Sequence, residues 1–269
     1  MAVQTGAVEQ SPSPAKLLGL PRERGFQLIV LIIGLILWAI IGLRVGTFIL
    51  APPSSLVTAF IQLLSSGELL HAVMDSLYGL VIGFSIALVV GITVGFLMGW
   101  YRPFSLVLDP FVSALYVVPV AALVPLLIVW MGIGAAPRIA CIALFSVFEI
   151  LIATYTGVKN VDQRLVEMAR SFGARRNELF SKVVFFDALP MVFAGIRIGA
   201  GRAVKGMVVA ELLFAVTGLG GLVMTYSVYY QTDKVLVVVV VLALIGVLLT
   251  SLVQWVEHRL APWMLIKSE

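Results

Sequence analysis

The sequence contains little charge and almost no cysteine or histidine. Of its 269 residues, 12% are charged, one is cysteine and two are histidine. The lone Cys141 cannot form an internal disulfide, and His71 and His258 lie too far apart in sequence to suggest a zinc site. No G-x-x-x-x-G-K-[ST] phosphate-binding loop occurs, and no Ser/His/Asp set is suggested by the spacing. We therefore expect no catalytic residues, no metal ligands and no bound cofactor in this chain.

What the sequence has in abundance is apolar residues. They make up 61% of the chain, and the mean hydropathy is +1.10, which excludes an ordinary soluble domain. A chain of this length can hold five to seven membrane-spanning helices of about 20 residues each. The net charge of +4 does not indicate a nucleic-acid partner, because the basic residues do not cluster on a soluble segment. Membrane lipid is the expected surrounding.

Hydrophobic runs predict an all-α membrane protein with six transmembrane helices. Residues 1–24 are polar and are expected to form a disordered cytoplasmic tail, and residues 25–269 form the membrane domain. The first run is longer than the roughly 7–15-residue core of a secretory signal, so it is interpreted as a membrane helix. A short amphipathic piece at 56–64 is expected at the interface. The predicted spans are 25–43, 72–100, 108–131, 139–158, 191–215 and 235–256.

The distribution of Lys and Arg predicts the orientation of these helices. With the N terminus inside, most basic loop residues are cytoplasmic, and the outer side receives only Arg44, Arg138 and Lys234. This asymmetry follows the positive-inside rule. Both termini are therefore predicted to be cytoplasmic.

Two of the predicted spans have unusual compositions. The second carries small residues at every fourth position from Gly79 to Gly99, a face that allows a neighbouring helix to approach closely. The third contains Pro110, Pro119 and Pro125, which predict an irregular helix. Its kink could shape a pathway or serve packing alone.

A charged insert at 159–187 interrupts the apolar pattern on the cytoplasmic side. Asp162 is placed to cap the start of a short helix, and Gly173 is placed to end it. One face of that helix is apolar and is bordered by basic residues, including the pair Arg175-Arg176. Such a helix can enter a groove on a partner protein or lie on lipid headgroups. The apolar face consists of Leu165, Met168, Ala169 and Phe172.

This insert resembles the Glu-x-Ala-x-x-x-Gly coupling motif of the membrane subunits of binding-protein-dependent ABC importers. Glu167, Ala169 and Gly173 match that motif, while Met168 replaces its usual second alanine. Phe185-Phe186 stand where the family commonly has Leu-Pro. Further stretches are similar to the nitrate, sulfonate, taurine and bicarbonate branch of these permeases: 51–54, 130–134, 157–162, 195–199, 208–211 and 218–221.

The resemblance implies a type I ABC importer (MetI-like) permease fold in a bacterial or archaeal plasma membrane. It implies a second permease copy, two cytoplasmic ATPase subunits that bind ATP and Mg, and an external solute-binding protein. A small solute would cross by alternating access. The loop 216–234 and the turn 131–137 would face the binding protein.

A secondary carrier or channel without an ATPase is the main alternative function. A membrane-embedded hydrolase is a third interpretation, for which the sequence offers no set of catalytic residues. The ATPase-coupling residues would be Asp162, Leu165, Glu167, Met168, Ala169, Phe172, Gly173, Arg175 and Arg176.

Charged residues also occur near the middle of the predicted membrane helices. Such groups usually face a partner or a wet cavity. Related permeases tend to have an aromatic residue at the place of Lys205 and a proline near that of Glu149. We predict that Lys205 pairs with Glu149 in the substrate pathway, with Arg202 as an additional cation and Tyr116 as a further candidate. A static salt bridge between two helices is the alternative.

Overall fold

The computed structural model describes residues 22–46, 48–214 and 217–261. Throughout these ranges the regular structure is helical, and no strand occurs in them. Residues 1–21 of the predicted tail (1–24) lie outside the described residues. The last three residues of that tail belong to the first helix, which begins at Arg22. The elements are α1 (Arg22–Val45), α2 (Pro53–Ser65), α3 (Glu68–Trp100), α4 (Arg102–Val117), α5 (Val120–Met131), α6 (Ala135–Lys159), α7 (Gln163–Ser171), α8 (Arg176–Leu179), a π-helix (Phe180–Val184), α9 (Phe185–Phe214), α10 (Gly218–Val228) and α11 (Thr232–Leu260).

Five helical segments are long and apolar enough to cross a membrane, and a sixth is possible if α4 and α5 form one broken span. They include α1, α3, α6 and α11, and the fifth runs from α8 into α9. Several extend past the predicted ends, because polar residues such as Glu68 and Glu257 continue the helical backbone beyond the apolar run. The segment predicted as an interfacial piece forms α2, which begins at Pro53.

The predicted third span is not a single helix. α4 and α5 meet at a bend of 101°, and Val118 and Pro119 between them have extended backbone angles. Proline has no N–H to continue the helical ladder, and it disfavours the helical conformation of the residue before it. Pro110 and Pro125 lie inside α4 and α5 without ending them, so Pro119 alone coincides with the break.

The core is built on three long helices, α3, α6 and α9. The glycine face of α3 packs directly on α6, as its spacing predicted. A methyl group added at Gly95 would lie 2.6 Å from Cβ of Thr154, and one at Gly99 would lie 2.5 Å from Cβ of Val158. Since carbon atoms cannot approach this closely, only glycine fits, and α3 and α6 form a closely packed pair.

The predicted outer loop 216–234 contains a helix that the sequence reading missed. α10 occupies Gly218–Val228, and Gly218, Leu219 and Gly220 at its start are buried. The first residues of α10 are therefore packed against the rest of the described chain. α1, by contrast, packs against little of the chain, and its Trp38 indole donates a hydrogen bond to the Ala51 carbonyl at 3.1 Å.

Candidate functional site

The predicted coupling helix is present as α7, and both of its ends have the expected geometry. The Asp162 carboxylate accepts a hydrogen bond from the Arg164 backbone N–H at 2.9 Å, which caps the first turn. Gly173 has φ of +81°, a conformation that glycine adopts without strain. The Asp162 N–H also donates to the Asp187 carboxylate at 3.0 Å. This bond ties the start of α7 to the start of α9.

The apolar face of α7 is left open to the surroundings. Met168 is 53% exposed and Phe172 is 86% exposed, so the described residues leave most of both side chains uncovered. Together with Leu165 and Ala169 they line one side of an open groove of about 420 Å³. The other side is formed by Lys182, Val183, Phe186 and Asp187.

Glu167 lies on the same helix and is also exposed. Its carboxylate makes no ion pair with the described part of the chain, and its backbone carbonyl accepts a hydrogen bond from the Ser171 hydroxyl at 3.0 Å. Helix α7 thus presents an apolar ridge next to a free carboxylate. That combination suits a complementary groove with a basic rim.

The two arginines after the glycine have different surroundings. Arg175 is the N-cap residue of α8, and its backbone N–H donates to the Glu178 carboxylate at 2.9 Å. The Arg176 guanidinium lies over two rings at the end of α3, 5.6 Å from the centre of Trp100 and 5.1 Å from that of Tyr101. Arg176 is therefore directed toward the chain's own α3, a contact that the sequence reading did not foresee.

Three of the four predicted pathway residues meet in the structure. The Arg202 guanidinium pairs with the Glu149 carboxylate at 3.0 Å, and the Tyr116 hydroxyl lies 3.5 Å from the same carboxylate oxygen. These residues belong to α9, α6 and α4. The predicted pairing of Glu149 with Lys205 is wrong, because Arg202 takes that position. Lys205 is exposed and makes no ion pair with the described residues.

The most deeply buried charges of the described chain are not among the pathway residues predicted from the sequence. Arg138, predicted to lie in an outer loop, belongs to the first turns of α6 and is buried. Its two terminal nitrogens bind the Asp75 carboxylate at 2.7 and 2.9 Å, and one also donates to the Thr217 hydroxyl at 3.0 Å. Glu211 lies 3.7 Å from the same guanidinium. The contacts of Arg138 link four helices: α6, which carries Arg138, α3 with Asp75, α9 with Glu211, and α10, which Thr217 directly precedes.

Glu211 is held by further polar groups. One of its oxygens accepts hydrogen bonds from the Ser76 hydroxyl at 2.9 Å and from the Gly220 backbone N–H at 2.8 Å. Ser76 in turn accepts a bond from the Leu219 N–H at 2.9 Å. The signal that could have found this cluster is the presence of Asp75 and Glu211 within apolar helices, since charges buried in membranes are usually paired.

The described ranges contain no group of three or more His, Cys, Asp or Glu residues arranged to hold a metal ion. What the arrangement can do is mechanical and electrostatic. It offers an exposed apolar ridge on the charged insert, and a charged cluster on the faces of α6 and α9.

Comparison with known proteins identifies the family. Residues 88–262 match the family described as the binding-protein-dependent transport system inner membrane component. The chain is 33% identical to a probable ABC transporter permease protein of Brucella melitensis over 93% of this chain and 99% of that protein. It is 38% identical to the putative aliphatic sulfonates transport permease protein of Escherichia coli, over 81% and 83% of the two chains. It is 31% identical to the taurine transport system permease protein of the same species, over 84% of each chain.

Solved structures show the same fold. The inward-facing MetNI methionine ABC transporter matches with a TM-score of 0.57 at 19% identity, over 71% of this chain and 97% of that chain. An amino acid ABC transporter matches with a TM-score of 0.62 at 15% identity, over 75% and 98%. The structural matches confirm the expected MetI-like type I fold. The family match and the curated relatives confirm the sulfonate and taurine branch and the multi-pass plasma-membrane location. The chain is not an enzyme, because ATP hydrolysis in such importers is done by a separate subunit. This protein belongs to the inner-membrane permease components of binding-protein-dependent ABC importers.

Proposed function

We propose that this permease works as a homodimer with two cytoplasmic ATPase subunits and passes a small sulfonate from an external binding protein into the cell. ATP and Mg would be bound by the ATPase subunits alone. The exposed ridge of α7 is the observation that carries this proposal. Burying Met168 and Phe172 in a partner's groove would remove their large apolar surface from water, which favours association.

The proposed orientation places both termini and the insert 159–187 in the cytoplasm, where the ATPase is. α10 and the turn 131–137 then lie on the outer side, toward the binding protein. The distribution of Lys and Arg supports this orientation. A homodimer is supported by α4, which has no buried residue and exposes Phe104, Phe111 and Leu115. A second copy of the chain would cover this face.

The charges on α6 and α9 support an anionic solute. Glu149 neutralises Arg202 at 3.0 Å, whereas Lys205, one turn further along α9, has no anionic partner among the described residues. A lysine within a membrane helix needs water or an anion beside it. A sulfonate group could supply that anion during passage. One relative's name specifies aliphatic sulfonates and another's specifies taurine.

The test is uptake in phospholipid vesicles that contain the permease together with its ATPase. Ethanesulfonate and taurine are supplied together with the binding protein. ATP is either present or absent on the side of the vesicle membrane that carries the ATPase subunits. We expect uptake only with ATP and binding protein together. Uptake driven by an ion gradient without either would identify a secondary carrier and contradict the proposal.

A further inference from the structure

The coupling insert touches the membrane domain at a second place besides its covalent connections to α6 and α9. This contact is an aromatic cluster, defined here as Phe96 and Trp100 of α3 with Phe180 and Phe185 of the insert. The Phe180 ring lies 5.2 Å from Trp100 and meets Phe96 edge-on at 5.7 Å. Phe185 stacks on Phe96 at 5.4 Å. Aromatic pairs at these separations attract each other beyond their buried area.

The π-helix explains how both phenylalanines of the insert reach the same ring. On an α-helix of 3.6 residues per turn, side chains five positions apart point about 140° away from each other. Between Phe180 and Phe185 the chain has a wider turn, closed by a hydrogen bond from the Phe185 N–H to the Phe180 carbonyl. Such turns are rare and often occur at functional sites. Here the wider turn brings both rings onto Phe96.

Arg176 extends this contact toward α7. Its guanidinium lies over Trp100 and Tyr101 at 5.6 and 5.1 Å, within the range of a cation–π interaction. Arg176 follows Gly173, where α7 has ended, by only three positions. A displacement of α7 would therefore reach the end of α3 through a short segment and a directed contact.

The movement would not stop at α3. Gly95 and Gly99 pack so closely on Thr154 and Val158 of α6 that even one added methyl group would collide. Two helices packed this closely move as one body more readily than they slide. Glu149, which belongs to the proposed pathway, lies on α6 and would move with it.

We propose that Arg176 and the aromatic cluster transmit the movement of α7 to the α3–α6 pair, so that Arg176 is a positioning residue rather than an ATPase contact. This inference rests on the proposed function. Without the contact, ATP hydrolysis would continue while the pathway helices no longer follow it. Loss of coupling is therefore the expected defect, with assembly retained.

The experiment uses the permease–ATPase complex in phospholipid vesicles with the binding protein, measuring ATP hydrolysis and ethanesulfonate uptake on the same vesicles. Arg176→Ala should retain the ATPase subunit and its hydrolysis but lower uptake per ATP about tenfold, as expected for loss of two cation–π contacts. Arg176→Lys should restore most of the uptake, because it keeps the cation. Arg259→Ala is the matched control: it removes an arginine that lies 5.2 Å over Trp255, far from the insert in sequence.

A second pair of variants tests the ring rather than the charge. Trp100→Phe keeps an aromatic face and should stay coupled, whereas Trp100→Leu keeps bulk alone and should uncouple. If Arg176→Ala loses the ATPase subunit, or if hydrolysis and uptake fall in parallel, the inference is wrong. It is also wrong if Arg176→Ala behaves like Arg259→Ala. Should Arg176→Ala fail to fold, the Trp100 pair decides by the same criteria. Wild-type vesicles without ATP-dependent uptake would overturn the proposed function, and the inference with it.

Discussion

Arg138 on α6 binds the carboxylate of Asp75 on α3 through both terminal nitrogens, at 2.7 and 2.9 Å. The guanidinium side chain is 5% exposed, and the nearby Glu211 side chain is fully buried. Without Asp75, the buried Arg138 guanidinium would keep only the Glu211 carboxylate, at 3.7 Å, as a counter-charge. The contact therefore holds the ends of four elements in one arrangement.

The first prediction concerns this pair. Asp75→Ala should lower the free energy of unfolding by up to about 3–5 kcal/mol, because the buried Arg138 loses both short hydrogen bonds to Asp75 and keeps only Glu211 at 3.7 Å. Thermal unfolding of the purified permease in detergent measures the change. Arg197→Gln is the control, since that arginine is 43% exposed and only 3.8 Å from Glu257, and its loss should cost less than about 1 kcal/mol. Equal effects of the two variants would contradict the assignment.

The second prediction concerns the packing of α3 on α6. Gly95→Ala should destabilise the protein by about 1–3 kcal/mol, because the new methyl group would lie 2.6 Å from Thr154. Gly201→Ala in α9 meets no atom within 4 Å and should be neutral or slightly stabilising. Both are measured by the same unfolding assay. A stable Gly95→Ala variant would show that α3 and α6 can move apart.

The third prediction concerns coupling. Gly173→Leu forces a branched side chain into a backbone with φ of +81°, which would misplace the end of α7. Insertion and dimerisation should be unaffected, while ATP-dependent uptake should be lost. Glu167→Ala should have the same outcome through loss of the exposed carboxylate. Gln163→Ala, exposed on the same helix, serves as the control. Normal uptake by both Gly173→Leu and Glu167→Ala would defeat this prediction.

The fourth prediction concerns topology. A membrane-impermeant thiol reagent should label Arg175→Cys only from the cytoplasmic side and Thr225→Cys only from outside. Both positions are exposed, while the native Cys141 is buried and should stay unlabelled. Reversed labelling would overturn the orientation, and with it the location of the coupling helix.

The fifth prediction concerns the charges of the pathway. Glu149→Arg combined with Arg202→Glu restores the 3.0 Å pair with its polarity exchanged. If the pair faces the solute, the double variant should assemble but transport poorly or with changed preference. Lys205→Met should weaken uptake of sulfonates without affecting assembly, because no ion pair is lost. Transport by the double variant with unchanged preference would make the pair a static salt bridge.

The sequence by itself determined the class of the protein and the local form of the charged insert 159–187. A run of apolar residues long enough to span a bilayer predicts a membrane helix, unless a residue such as Pro119 interrupts it. The ends of α7 follow equally local rules, because Asp162 caps the backbone within its own first turn and Gly173 ends the helix through its own dihedral angle. The glycine spacing on α3 likewise predicted a face for close packing.

Only the tertiary structure decided which charged groups meet. Lys205 and Arg202 lie one turn apart on α9, and nothing in their local sequence says which of them reaches Glu149 on α6. Arg138 was predicted to lie in a loop, because a helix end and a loop have similar hydropathy. Its partners, Asp75 and Glu211, are distant in sequence. Arg176 was predicted as an ATPase-coupling residue beside the apolar face of α7, but its guanidinium lies over the ring of Trp100 on α3. Helix capping and the formation of membrane helices depend on residues that are neighbours in sequence. Ion pairs and ring contacts depend on how far one helix is rotated and shifted along its axis relative to another, and tertiary packing sets both quantities.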